Sequence, residues 1–221
     1  MPKPALIERR PWLLASLVCA VGWFFGLGTA MPGIYFLVLK AAPLLLLAVY
    51  AALQHRGGDT RSLAAMLVLE GLGSALQDAM PLIGLNLLLV GYLVGLGLFL
   101  AHRRAVVDGG RRASALALTL GTPLLCFFAA DRAGVGVPLF LGLALGGMAA
   151  SAWISTFARS RVGVGAALIV AGNVLTIAAM GPMPDGSALV VALAAWPLFY
   201  IGNLILATGV TGELRMREEI L

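Results

Sequence analysis

Four polar side chains interrupt an otherwise apolar stretch, Leu67–Met80 (LVLEGLGSALQDAM): Glu70, Ser74, Gln77 and Asp78. A helix turns about 100° per residue, so all four fall within an arc of roughly 100°. Two carboxyls on one face, beside a hydroxyl and an amide, suit general acid and base work. Carboxyls in lipid are costly, and they usually face a bundle interior or a water-filled cavity that marks a functional site. Lys40 is the only basic residue well inside another apolar run (YFLVLKAAPLLLLAVY). A buried charge needs a partner, which makes Lys40 and Asp78 candidates for a pair or a shared site.

The elements that must position these groups follow from composition. The 221 residues are 61% hydrophobic and 11% charged, with a mean hydropathy of +0.99. A soluble domain carries about 25% charge. Long apolar runs with so few charges imply an all-α polytopic membrane protein, one integral membrane domain over residues 1–221. The 28 glycines suit close helix packing in lipid. The formal charge of +5 does not argue for nucleic acid, because the basic residues sit in short loops between apolar runs.

Eight apolar segments are expected to span: 12–30, 33–53, 62–80, 83–102, 113–130, 136–157, 162–181 and 187–209. Each approaches the about 20 residues that cross a bilayer. The first follows a short basic start and is longer than a signal-peptide core, so it reads as a helix that stays. Turn residues punctuate the breaks: Met31-Pro32-Gly33, Arg56-Gly57-Gly58-Asp59, Asp108-Gly109-Gly110 and Pro182–Gly186. Thirteen of the 15 basic residues fall at the ends or in alternate loops, leaving only Arg132 opposite and Lys40 within a span. The positive-inside rule then places both termini in the cytoplasm. The C-terminal Gly-Glu-Leu-Arg-Met-Arg-Glu-Glu reads as a solvated tail.

Depth follows from this topology. Lys40 and Asp78 lie near the outer ends of adjacent antiparallel helices. Glu70 is roughly 12 Å deeper, at 1.5 Å per residue. Burial there penalises the charged carboxyl, so a protonated Glu70 is expected, the state a general acid requires. Asn173 falls near the depth of Asp78, and Tyr200 and Asn203 lie mid-span. Asn86, His102, Ser151, Ser155, Asn173, Tyr200 and Asn203, taken singly, read as interhelical hydrogen-bond donors. Cys19 and Cys126 read as buried free thiols, and Trp23 and Trp196 as packing or interface residues. His55 and His102 have no triad setting. No G-x-S-x-G, H-E-x-x-H, Walker loop or C-x-x-C occurs. Neither a metal site nor a cofactor is expected.

A set of short motifs now falls in order: Lys40-Ala-Ala-Pro before a leucine run, Ser74-Ala-Leu-Gln77-Asp78, Phe99-Leu-Ala-His102, Gly165 to Gly172-Asn173, and Tyr200-Ile-Gly-Asn203. On eight apolar segments, this order resembles the YhhN family of integral membrane proteins, which includes the animal lysoplasmalogenases. The resemblance covers about residues 35–210. It implies a hydrolase that cleaves the vinyl-ether bond of lysoplasmalogens to a fatty aldehyde and a glycerophospho-alcohol. Protonation of the vinyl β-carbon gives an oxocarbenium ion, water adds, and the hemiacetal collapses. Two carboxyls divide such work in glycoside hydrolysis. The implied roles are Asp78 as principal acid/base, and Lys40, Ser74, Gln77, Asn173, Tyr200 and Asn203 around the substrate. Gln77 stands where the family motif has glycine, Asn173 where a second aspartate is common, and Arg103-Arg104 follow His102. Glu70 is then the candidate second acid.

The expected partners are a lysophospholipid substrate and membrane lipids, with a homodimer left open. Two other functions fit buried Lys and acid residues: a transporter or proton-coupled carrier, and a non-catalytic lipid-binding protein.

Overall fold

A computed structural model describes residues 10–26, 33–54, 57–130, 136–181 and 187–218. Lys3, Arg9, His55, Arg56, Arg132, the Met31-Pro32 turn and Pro182–Gly186 lie outside them. Eight α-helices run through the described residues: α1 (Arg10–Gly26), α2 (Gly33–Gln54), α3 (Gly58–Ala79), α4 (Pro81–Ala101), α5 (Gly109–Ala129), α6 (Gly136–Ile154), α7 (Val164–Met180) and α8 (Ser187–Glu218). A π-helical turn, Arg159–Gly163, leads into α7. Sequential neighbours pack against each other except α4 and α5, which are both laid on α6, and α8 runs along α7 and reaches back to α1, α2 and α3.

Among the described residues, six stretches are long and apolar enough to cross a membrane: Gly33–Gln54, Pro81–Ala101, Gly109–Ala129, Gly136–Ile154, Arg159–Met180 and Leu193–Arg217. α1 is shorter, at 17 residues. α3 is long enough at 22 residues but less apolar, because Asp59, Arg61, Glu70, Gln77 and Asp78 lie on it. The outward surface agrees with a multi-pass membrane protein. Val18, Phe25, Leu120, Phe128 and Phe140 are each more than 60% exposed. Water penalises apolar area on this scale, whereas lipid does not.

Small residues set the helix spacing. A Cβ on Gly202 would sit 2.7 Å from the Gly165 carbonyl oxygen, and one on Gly165 equally close to that of Gly202. A Cβ on Gly172 would lie 2.7 Å from the Phe199 nitrogen. These contacts let the α7 and α8 backbones touch, which brings Asn173 and Asn203 inward. α3 and α4 meet at a corner of one residue, Met80, with Pro81 at the first position of α4. A Cβ on Gly73 would come 2.9 Å from the Gly84 oxygen. This close corner fixes the last turn of α3, where Asp78 lies.

The tail departs from expectation. α8 continues to Glu218, and Val210, Thr211 and Leu214 are buried. Glu213 accepts the Ala158 N–H and pairs with Arg217 at 3.6 Å. The carboxylate thereby satisfies a donor at the start of the π-helical turn, where no other side chain caps. What reads as a polar tail is thus the last part of a packed helix.

Candidate functional site

Lys40 Nζ donates to Asp78 Oδ2 at 2.6 Å. The antiparallel α2 and α3 place both groups at the same level. The ammonium also lies 5.5 Å from the Trp23 ring centroid, within cation–π range. The two partners differ in surroundings. The Lys40 side chain is 10% exposed and that of Asp78 42%. Asp78 therefore reaches solvent or headgroups, while Lys40 points into the bundle.

Behind Lys40 lies a cavity of about 30 Å³. Lys40, Ser74, Gln77, Asn173 and Thr176 supply its polar lining, and Leu88, Trp196 and Phe199 its apolar walls. A water needs roughly 10–15 Å³ of such volume and two to four polar partners. The cavity is therefore sized for water and too small for a lipid tail. Ser74 Oγ donates to the Gly71 carbonyl at 3.0 Å. Gln77 Nε2 reaches Met180 Sδ at 3.6 Å, tying α3 to the end of α7.

One helical turn, about 6 Å, separates this layer from a deeper one. Glu70 lies one turn below Ser74, Tyr92 one turn from Leu88, and Asn203 one turn from Phe199. All three are fully buried. Glu70 interacts with Asn203 and Tyr92, and Tyr92 in turn with Asn173. These contacts fall short of well-formed hydrogen bonds. Both Glu70 carboxyl oxygens, the Tyr92 hydroxyl and Asn203 Oδ1 have no hydrogen-bond partner among the described residues. Buried polar groups are nearly always satisfied, so four orphaned atoms in one layer mark an unusual place. Asn173, which lines the cavity above, joins the two layers.

The structure thus brings Lys40, Asp78, Ser74, Gln77 and Asn173 together, with Glu70 and Asn203 directly beneath. Tyr200 is separate. Ser16 Oγ donates to the Pro43 carbonyl at 2.7 Å, which uses its one proton. The Tyr200 hydroxyl, 2.9 Å away, therefore donates to Ser16. Tyr200 staples α8 to α1 and α2 and stacks on Trp196 at 5.4 Å. Both rings line an apolar groove of about 330 Å³ between α1 and α8. Trp196 also packs on Trp23 at 4.5 Å, so this one indole walls both the groove and the polar cavity.

Several polar residues expected to bond across helices bond within their own. Asn86, Asn173 and Asn203 donate to carbonyls four residues back, and Ser151 and Ser155 to carbonyls three residues back. A helix carbonyl within the side chain's own reach competes with a neighbouring helix for its donor. His102 bridges the Leu98 carbonyl at 3.1 Å and Asp59 Oδ2 at 3.3 Å, a structural setting at the other end of α4. Cys126 is buried and Cys19 half-buried.

Sequence reasoning missed Tyr92. The signal was available: Glu70 is ten residues before Met80 and Tyr92 twelve after it, so the two face each other across the corner. Trp196 was read as packing, and its place between groove and cavity needs the fold. No protein-family model matches this chain, and neither a curated protein nor a solved structure does.

Proposed function

We propose that this chain is a membrane-embedded hydrolase of the lysoplasmalogenase type, cleaving the vinyl-ether bond of a lysophospholipid to a fatty aldehyde and a glycerophospho-alcohol. One observation carries the reading: two carboxyls in contrasting surroundings stand above and below a water-sized cavity. Asp78 faces the Lys40 ammonium, and Glu70 is fully buried with no cation on it. Such a contrast of surroundings is how two carboxyls divide acid and base roles.

In this reading Glu70 gives its proton to the vinyl β-carbon. The Asp78 carboxylate steadies the oxocarbenium ion and takes a proton from the attacking water. The hemiacetal hydroxyl then passes its proton to the leaving ether oxygen, which departs as the alcohol while the aldehyde forms. One proton has moved from Glu70 to Asp78, and its return through cavity water and the Tyr92 hydroxyl resets the site. The substrate phosphate meets Lys40, and its tail lies in the groove beside Trp196. The cavity holds water but not a tail, so Trp196 must move for the groove and cavity to join. Ser74, Gln77 and Asn173 orient the water.

We read all eight helices as spans, with both chain ends on the cytoplasmic face. Loop charge supports this orientation, as does the gathering of the start of α1 and the end of α8 around one cleft. The resemblance to the YhhN family supports the choice of substrate. The experiment is release of fatty aldehyde from lysoplasmalogen by the purified protein in micelles, with Asp78→Asn as control. Unchanged turnover in that variant would sink the assignment.

The unpartnered Glu70 carboxyl also favours a second reading, a proton-coupled carrier, because buried acids mark proton relays. Substrate flux into proteoliposomes without aldehyde formation would select it.

A further inference from the structure

At the arginine-rich end of the bundle, the start of α1, the end of α2, the π-helical turn and the last turns of α8 enclose a cleft of about 740 Å³. That volume lies within the range of ligand sites, about 300–1,000 Å³. Its lining divides by chemistry. Arg161 and Arg215 bring two guanidinium groups, Gln54 adds an amide, and Leu13, Leu14 and Met216 form an apolar wall. The cleft is remote from the Lys40 cavity. Gln54 is fourteen residues along α2 from Lys40, roughly 21 Å at 1.5 Å per residue.

Two glycines shape it. A Cβ on Gly209 would sit 2.9 Å from Arg161 Cβ, so the bare backbone there lets α8 lie against the root of the arginine. Gly212 lines the cleft, and a Cβ on it would meet nothing within 4 Å. One glycine thus brings Arg161 close, and the other leaves the floor open.

We propose that this cleft binds an anionic phospholipid, with its phosphate at Arg161 and Arg215 and an acyl chain along Leu13, Leu14 and Met216. Planar guanidinium groups match phosphate oxygens bidentately. Basic pockets between membrane helices take acidic headgroups. Charge complementarity and the adjoining apolar wall select an amphiphile over a free anion, and its acidic headgroup over a zwitterionic one. This site is independent of the proposed hydrolysis.

The test measures the thermal stability of the full-length protein in micelles doped with phosphatidylglycerol, with phosphatidylcholine of the same chains, or with inorganic phosphate. Phosphatidylglycerol alone should raise the melting temperature. Arg161→Gln with Arg215→Gln should weaken its apparent affinity about tenfold or more, the scale of losing one charge-assisted bond. Gly212→Leu should weaken the response by narrowing the cleft at its floor, and it should still fold because the added side chain enters open space. Equal responses to phosphatidylcholine or to inorganic phosphate would overturn the proposal. So would a response left unchanged by Gly212→Leu, which would mean surface charge rather than the cleft binds the lipid.

Discussion

Replacing Asp78 by alanine strands the Lys40 ammonium, whereas replacing Lys40 by methionine leaves a carboxylate that solvent already reaches. The two halves of one ion pair should therefore have unequal costs. Breaking a fully buried pair costs about 3–5 kcal/mol. Asp78 is 42% exposed and Lys40 10%, so screening reduces the loss. The Trp23 ring 5.5 Å from Lys40 Nζ offsets a further part. Asp78→Ala should then destabilise by roughly 1–3 kcal/mol, and Lys40→Met by about 0–1 kcal/mol. Combining them should recover most of the Asp78→Ala loss, because the stranded charge is gone. Unfolding in mixed detergent micelles, followed by helical circular dichroism, reads all three values. Equal costs for the two single variants, or a double variant no better than Asp78→Ala, would refute the asymmetry.

Further outcomes follow from the packing and the orphaned groups. Gly202→Ala should destabilise by about 1–3 kcal/mol, since its Cβ meets the Gly165 carbonyl at 2.7 Å in a contact that only a backbone shift relieves; thermal unfolding checks it. Tyr200→Phe should cost roughly 0.5–1.5 kcal/mol, the net worth of one hydrogen bond, and leave turnover nearly intact, because its hydroxyl serves Ser16. Tyr92→Phe should be neutral or stabilising, as it removes a buried hydroxyl with no well-formed hydrogen bond among the described residues, yet slow aldehyde release if that hydroxyl returns the proton to Glu70. Glu70→Gln keeps shape and should keep stability, while turnover falls about 10²-fold or more, the scale of a lost general acid.

Much of the architecture was legible because a bilayer sets a strict length rule. Eight apolar segments gave eight helices, with boundaries displaced by a few residues. The largest departure was at the end of α8, where the stretch from Gly212 onward read as a tail beyond the helix. Burial of Val210, Thr211 and Leu214 and the bond from Ala158 to Glu213 hold that part as helix, and these are tertiary contacts invisible to composition. The juxtaposition of Lys40 and Asp78 could be read by depth alone. Tyr200 could not: its depth suits the site, but its hydroxyl is turned toward Ser16 on α1. Tyr92 is absent from the sequence candidates, since a tyrosine within an apolar run carries no signal of its own. Its lack of a partner is what sets it apart, and that is a property of the folded bundle.

In the proposed reaction, two carboxyls in contrasting surroundings cleave a vinyl ether across one water-sized cavity. Its most direct measurement is aldehyde release from lysoplasmalogen by the purified wild-type protein beside folded Asp78→Asn and Glu70→Gln variants. The wild type should release aldehyde and glycerophospho-alcohol in equal amounts, with a loss of about 10²-fold or more in each variant. Folded wild-type protein that releases no aldehyde, or either variant turning over at the wild-type rate, would contradict it.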